Sequence, residues 1–339
     1  MGAQISPLIP RVRISLRKLA GKAVAVDAYN AMYQFLALIR TEYGTPLRDR
    51  RGRVTSHLNG LLYRTIRLLE AGVTPVYVFD GPPPRFKARE LEERRAVRER
   101  AMAEWAKAVE EGDLRRAWAK AVASSRLSRE MAEDAKVLLT LMGVPWVQAP
   151  SEGEAQSAYM AASGDVWAAA SQDYDSILFG APRLVRNLTI TGRKFLRKRP
   201  VSYRLIPELV ELDAVLSRLK LSRRQLIEVA ILAGTDYNQG VYGIGPKKAY
   251  KLISRYGSLE KAAEAEKLEI DESWVEVREF YLHPPVTDRY SVELGELDED
   301  GLLSFLVEER DFDPRRVREA VRRLKLALQA ASRVARLEV

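Results

Sequence analysis

Residues 22–40, KAVAVDAYNAMYQFLALIR, decide the fold. Lys22 to Val26 is a short apolar run that reads as a buried strand and stops at Asp27. Ala28 to Arg40 then spaces its apolar residues as a helix does. The same grammar recurs downstream. Thr55 to Ala71 reads as an amphipathic helix stopped by Gly72, and Val73 to Phe79 (VTPVYVF) as a strand that ends at Asp80, before GPPPR breaks the backbone. Ser128 to Met142 is amphipathic again. Val144 to Val147 resembles a strand and leads through Ala149-Pro150-Ser151 into a helix reaching about Ala162. Asp165 to Ala170 (DVWAAA) is a further apolar strand, followed by SQDYDSILFG. Strands alternating with helices imply an α/β fold with a mostly parallel central sheet. In such sheets ligands gather at the carboxyl ends of the strands, where Asp27, Asp80 and Asp173 all fall.

Composition narrows the chemistry. The chain has 339 residues and 47% hydrophobic content, enough for a large core and for about two domains or one unit with an insertion. Lys plus Arg is 55 against 46 for Asp plus Glu, a net charge of +9. A basic surround favours an anionic polymer as partner, although membranes and acidic proteins attract basic chains too. There is no cysteine, which excludes disulfides, zinc–thiolate sites and thiol nucleophiles. With His57 and His283 as the whole histidine complement, any metal must be held by oxygen, which favours Mg²⁺ or Mn²⁺. The N-terminal stretch MGAQISPLIPRVRISLRKLAG has no apolar run suited to a signal peptide or membrane span, so a soluble cytoplasmic protein is expected.

Each acid has an ordinary explanation. Asp27, Asp80 and Asp173 suit strand-end turns. Asp173 and Asp175 share a face only where the strand stays extended. Ser151 and Glu154 fit the capping box S-x-x-E, and Glu152 suits a helix N-terminus. Asp236, in AGTDYNQG, could be a cap or a loop acid. The joint pattern argues otherwise, because independent turn and cap acids need not collect at one sheet edge. Carboxylate clusters in a basic chain suggest metal-dependent cleavage of nucleic acid.

Basic features complete the pattern. Gly243-Ile244-Gly245-Pro246-Lys247-Lys248 is a glycine turn before a helix, with Arg223 to Gly234 as the preceding helix. Such a turn offers backbone N–H groups and lysines to a nucleic-acid phosphate, or else is a plain helix–helix connection with solvated lysines. The stretch from 85 to 129 is rich in Arg, Lys and Glu, with Trp105 and Trp118 among its few large apolar groups; it reads as one or two charged helices standing off the core. In it, Lys87 and Arg94 lie about two turns apart on one face, just beyond Asp80. Tyr33 is either a core aromatic or a base-stacking one.

Together AVDAYNAMYQFL, TSHLNGLLYRTIRLLEAG, PVYVFDGPPP, PSEGEAQSAYM, SQDYDSILFG and LAGTDYNQGVYGIGPKKAYKLI resemble, in family order, the flap endonuclease branch of the XPG-type structure-specific nucleases, in its archaeal form. The resemblance implies a PIN-like nuclease core with a helical arch insertion and a helix-two-turn-helix DNA-binding region. It divides the chain into an N-terminal nuclease region (1–98, arch at about 84–125), an internal nuclease region (116–258, helix-two-turn-helix at about 223–258) and a C-terminal helical region (259–339). It implies two Mg²⁺ ions, one group of ligands being Asp27, Asp80, Glu152 and Glu154, the other Asp173, Asp175 and Asp236, some acting through water. Lys87 and Arg94 match cations that meet the scissile phosphate. Tyr33, Arg40, Arg64, Arg67, Gly243, Gly245, Lys247 and Lys248 match DNA contacts. Val241 and Ile244 match carbonyls that hold K⁺, with Gly240 where a serine is usual. Gly2 matches an N-terminal glycine near the site, although AQISPLIPRVRI departs from the usual start.

The implied function is 5′-flap endonuclease and 5′–3′ exonuclease cleavage in Okazaki-fragment maturation and long-patch base excision repair, by a monomer acting on flapped, nicked or gapped DNA. A sliding clamp (PCNA) is the implied protein partner, yet LQAASRVARLEV lacks the clamp-binding Q-x-x-h-x-x-aromatic-aromatic pattern. Two other classes share part of this signature. A DNA-binding protein without chemistry would not need the acids, and a PIN-type ribonuclease would lack the arch and the Gly-Ile-Gly-Pro turn.

Overall fold

The structure is a computed structural model that describes residues 2–41, 44–111, 127–189, 193–195, 202–204, 206–271 and 273–335. Its central sheet has the strand order β1-β9-β6-β5-β2-β3-β4. The strands are β1 (Val12–Arg13), β2 (Lys22–Asp27), β3 (Val73–Phe79), β4 (Trp146–Gln148), β5 (Ala168–Ala170), β6 (Arg183–Arg186) and β9 (Glu208–Glu211), with β7 (Arg193–Phe195) and β8 (Ser202–Arg204) forming a separate pair. Strands β6, β5, β2, β3 and β4 run parallel, and β9 and β1 add an antiparallel margin.

Helices α1 (Ala28–Leu38), α2 (Ser56–Glu70), α3 (Ala88–Glu110), α4 (Arg129–Leu141), α5 (Gly153–Ser163) and α6 (Asp175–Leu178) connect the strands, and α7 (Leu212–Leu219) follows β9. The remainder is helical: α8 (Arg223–Ala233), α9 (Pro246–Tyr256), α10 (Leu259–Glu266), α11 (Trp274–Leu282), α12 (Glu299–Leu303) and α13 (Pro314–Ala335). Among the described residues, no helix is long and apolar enough to cross a membrane.

Strand periodicity sorts the core into layers. Val24, Val26, Tyr77 and Phe79 face a cluster built from α1, α2, α4 and α13, whereas Ala25, Val76 and Val78 face Met160 and Ala161 of α5. A further cluster joins α6 to α8, α9 and α11 and takes in Ala3, Ile5 and Ile9, so the atypical N-terminal segment is core rather than tail. The first cluster unites Leu58 and Leu62 of α2 with Val317 and Leu324 of α13, which sews the C-terminal helix onto the N-terminal half.

The strand over 73–79 is as the sequence predicts; the strand over 144–147 shifts to Trp146–Gln148. Pro145 has no N–H for a ladder and contributes only its carbonyl, to Tyr77 N. The charged stretch forms a long helix, α3, over Ala88–Glu110, entered through a 3-10 turn at Arg85–Lys87. The rest of the expected arch, Trp118 included, lies outside the described residues.

Candidate metal and nucleic-acid site

Parallel strands deliver the acids to one edge. Asp27 ends β2, Asp80 follows β3, Glu152 precedes α5 and Asp173 follows β5. With Glu154 and Asp236 they line a cleft of about 750 Å³ that also takes in Tyr29, Asn30, Tyr33, Lys87 and Arg94. Asp175 stands apart from them: it is buried beneath the cleft, at the start of α6.

Local chemistry fixes each carboxylate. Asp27 caps α1, accepting from Asn30 N at 2.8 Å, so it is a helix cap and a site residue at once. Ser171 Oγ bridges Asp27 Oδ2 (3.3 Å) and Glu154 Oε1 (3.0 Å). Asn30 Nδ2 reaches Asp173 Oδ2 at 3.3 Å. Gly153 N donates to Asp80 Oδ1 at 2.8 Å, and a Cβ on Gly153 would strike that same oxygen, so glycine permits the approach.

The capping box expected of Ser151 and Glu154 does not form. Glu152 is the cap residue of α5 and makes no side-chain cap, while Ser151 Oγ donates to Pro82 O. The two glutamates are thereby released to the cleft. Asp173 and Asp175 likewise do not share an extended strand, because the chain turns into α6 between them.

The acids repel one another, and burial adds to the effect. Burial, then Asp80, raises Asp27 to about 8. Burial and Glu152 raise Asp80 to about 6. Burial and Asp236 raise Asp175 to about 7, and Glu154 goes well above its ordinary value through burial and then Asp175. Two cations offset part of this charge. Lys87 Nζ sits 2.5 Å from Glu152 Oε2, and Arg94 Nη2 2.5 Å from Asp236 Oδ2. Burial lowers the Lys87 amine, but Glu152, Asp80 and Glu154 together more than reverse that, and it ends above its usual value.

Among the described residues, no three His, Asp or Glu side chains already form a compact ligand set. The donors are nonetheless all oxygen, strongly anionic and gathered in one open cleft, which is the chemistry a hard divalent cation requires.

Comparison with known proteins decides the family. The model described as XPG N-terminal domain matches residues 4–101, and that described as XPG I-region matches 143–236. Flap endonuclease 1 of Pyrococcus horikoshii is 54% identical over 331 residues, covering 97% of this chain and 96% of the relative. That of Caldivirga maquilingensis is 55% identical over 335 residues, with the same coverage. Among solved structures, flap endonuclease-1 from Methanococcus jannaschii aligns with a TM-score of 0.76 at 44% identity, over 97% of this chain and 99% of that one. The catalytic core of Rad2 in complex with DNA substrate aligns at 0.69 and 25% identity, over 96% and 100%. The chain belongs to the flap endonuclease family.

Most of the other basic residues expected to contact DNA fall in two places. Gly245 is the N-cap of α9 with Pro246 in the first turn; Lys247 and Lys248 are exposed there, and Tyr242 is wholly exposed beside them. Val241 N bonds to Leu232 O, and the Val241 carbonyl accepts Ile244 N at 3.0 Å, keeping one lone pair for other use. Arg64, Arg67 and Arg323 line a hollow of about 300 Å³ between α1, α2 and α13. Arg64 is 6% exposed and donates to Leu188 O, but its Nε and Nη1 are buried without a partner in the protein. Burial lowers its pKa to about 10. Arg40 donates to Gly44 O at 2.6 Å.

Several residues of the site and its support were not anticipated from sequence. Leu91, Val97 and Arg98 of α3 line it beside Arg94, and their helical spacing was the available signal. Ser171, Asn30 and Tyr281 gave none, because their partners are remote in sequence or specified by backbone turns.

Proposed function

We propose that this flap endonuclease uses Asp27, Asp80, Glu152 and Glu154 as one group of divalent-metal ligands and Asp173, Asp175 and Asp236 as the other, in hydrolysing DNA phosphodiesters at the base of a 5′ flap. The observation that carries this reading is the meeting of acids from separate strand ends in one cleft faced by Lys87 and Arg94. Bound Mg²⁺, two ions in this reading, supplies Lewis-acid charge and an activated water, giving 5′-phosphate and 3′-hydroxyl products.

The chain's own groups do the rest. Lys87 and Arg94 neutralise charge on the phosphoryl group. Tyr33, in the cleft wall on α1, offers a ring to an unpaired base. Gly243, Gly245, Lys247 and Lys248 hold a duplex phosphate at the α9 N-terminus, and the Val241 and Ile244 carbonyls would hold K⁺ beside it. Arg64 and Arg67 face a second stretch of backbone, where a phosphate would satisfy the orphaned Arg64 nitrogens; Arg40 flanks the same helices. A sliding clamp is the protein partner the family implies.

End-labelled double-flap DNA, incubated with Mg²⁺ or with EDTA beside a blunt duplex and a single strand, tests the proposal. Metal-dependent incision at the junction is expected. Binding without incision, or preferential cleavage of single-stranded RNA, would overturn it.

A further inference from the structure

Asp175 differs from the other acids in how it is held. Both carboxylate oxygens already accept a hydrogen bond from behind the cleft. Tyr281 OH donates to Oδ1 at 2.6 Å, and Ala3 N to Oδ2 at 3.1 Å. The donors come from parts of the chain far apart in sequence, α11 and the N-terminal segment. Gly2 closes the arrangement, since a Cβ there would collide with Asp175 and Asp173.

Tyr281 is fully buried, with its ring packed 4.7 Å from Phe179 and 5.3 Å from Tyr237. Packing alone would be served by phenylalanine. A buried phenol needs an acceptor, and many backbone carbonyls could serve. This one instead bonds a carboxylate, and hydrogen bonds of that kind are short and strong. Pinned at both oxygens, the Asp175 carboxylate cannot turn about its own bond. Each oxygen keeps a further lone pair for a cation shared with the neighbouring Asp173 and Asp236.

We infer that Tyr281 is a positioning residue: its hydroxyl fixes the orientation in which Asp175 meets a divalent cation and so sets the metal affinity of the Asp173–Asp175–Asp236 group. The inference rests on the metal assignment proposed above. Outer-shell partners of metal-bound carboxylates typically contribute about 10- to 100-fold in metal affinity.

The test is Mn²⁺ titration, by calorimetry and electron paramagnetic resonance, of the full chain without DNA, as wild type, Tyr281→Phe, Asp175→Asn and the double variant. Tyr281→Phe keeps the ring, and its fold is checked by circular dichroism in EDTA. Weakening of Mn²⁺ binding by about tenfold or more is expected in Tyr281→Phe, with no further loss when it is added to Asp175→Asn. Wild-type affinity in Tyr281→Phe, or an equal loss in both backgrounds, would leave Tyr281 a packing residue and overturn the inference. Equal Mn²⁺ binding by wild type and Asp175→Asn would instead remove Asp175 from the metal assignment, and the inference with it.

Discussion

Lys87 and Glu152 form an ion pair, Nζ to Oε2 at 2.5 Å, that joins the root of α3 to the cap residue of α5. Arg94 repeats the relationship two turns along, with Asp236. In the function proposed above, the same amine meets the scissile phosphate and, before substrate arrives, neutralises a metal ligand. Lys87→Met should therefore separate two quantities. Flap cleavage should fall by about 100- to 1,000-fold, the usual cost of a lost charge-stabilising donor. Mn²⁺ affinity, read by calorimetry, should hold or tighten, since a competing cation is gone. A parallel loss of both would mean that Lys87 serves only to hold the acids.

Metal should matter more to stability as pH rises. Asp27 at about 8, Asp175 at about 7 and Asp80 at about 6 are all raised above 3.8. A carboxyl raised on folding binds more protons in the native state than in the unfolded one. Its contribution is thus complete below about pH 4 and is lost as pH climbs through 6 to 8. Mg²⁺ relieves that repulsion. The Mg²⁺-induced rise in melting temperature should be larger at pH 8 than at pH 6, and binding near pH 7 should release protons, visible as a buffer-dependent calorimetric heat.

His57 predicts the opposite slope. It is fully buried in α2, neither ring nitrogen has a partner in the protein, and burial lowers it from 6.5 to about 4. Here the unfolded chain takes up the proton first. Stability is complete above pH 6.5 and declines by on the order of 3 kcal/mol as pH falls to 4. His57→Leu should flatten urea midpoints between pH 4 and 6.5 relative to wild type. Parallel curves for the two proteins would refute a buried neutral imidazole.

The helices behind the glycine turn share a buried ionic knot. Arg278 Nη1 bonds Glu228 Oε1 at 3.0 Å and Glu260 Oε1 at 2.6 Å, while Glu228 Oε2 accepts Leu259 N at 3.1 Å. Arg224 also reaches Glu228 but is half exposed. Arg278→Met should destabilise by about 3 kcal/mol, the lower end for a broken buried pair, since Arg224 remains. Arg224→Ala should lose at most about 1 kcal/mol. Urea denaturation of both variants would check the contrast.

Much of this arrangement was legible in the chain. Val73 to Phe79 announced itself by composition, and Asp27 and Asp80 by position at the ends of apolar runs. What stayed hidden was long-range or conformational. The Tyr281–Asp175 bond joins residues 106 positions apart in sequence, and no local pattern encodes it. Arg64 reads as a surface cation, but its helix packs on both sides and draws it inside. Ser151-x-x-Glu154 matched a capping box that Ser151 declined in favour of Pro82 O, a choice set by how closely the β3 and β4 loops approach.

The seam between α2 and α13 carries a consequence for the order of synthesis. Leu58 and Leu62 are made well before Val317 and Leu324, which cover them, and Arg323 then clasps Glu70 through paired bonds of 2.7 and 2.8 Å. A chain emerging from the ribosome amino end first has its acids long before it has that cover. The acid-bearing strands and the helix that covers the outer face of α2 are thus separated in time during synthesis, and that face stays uncovered until α13 has been made.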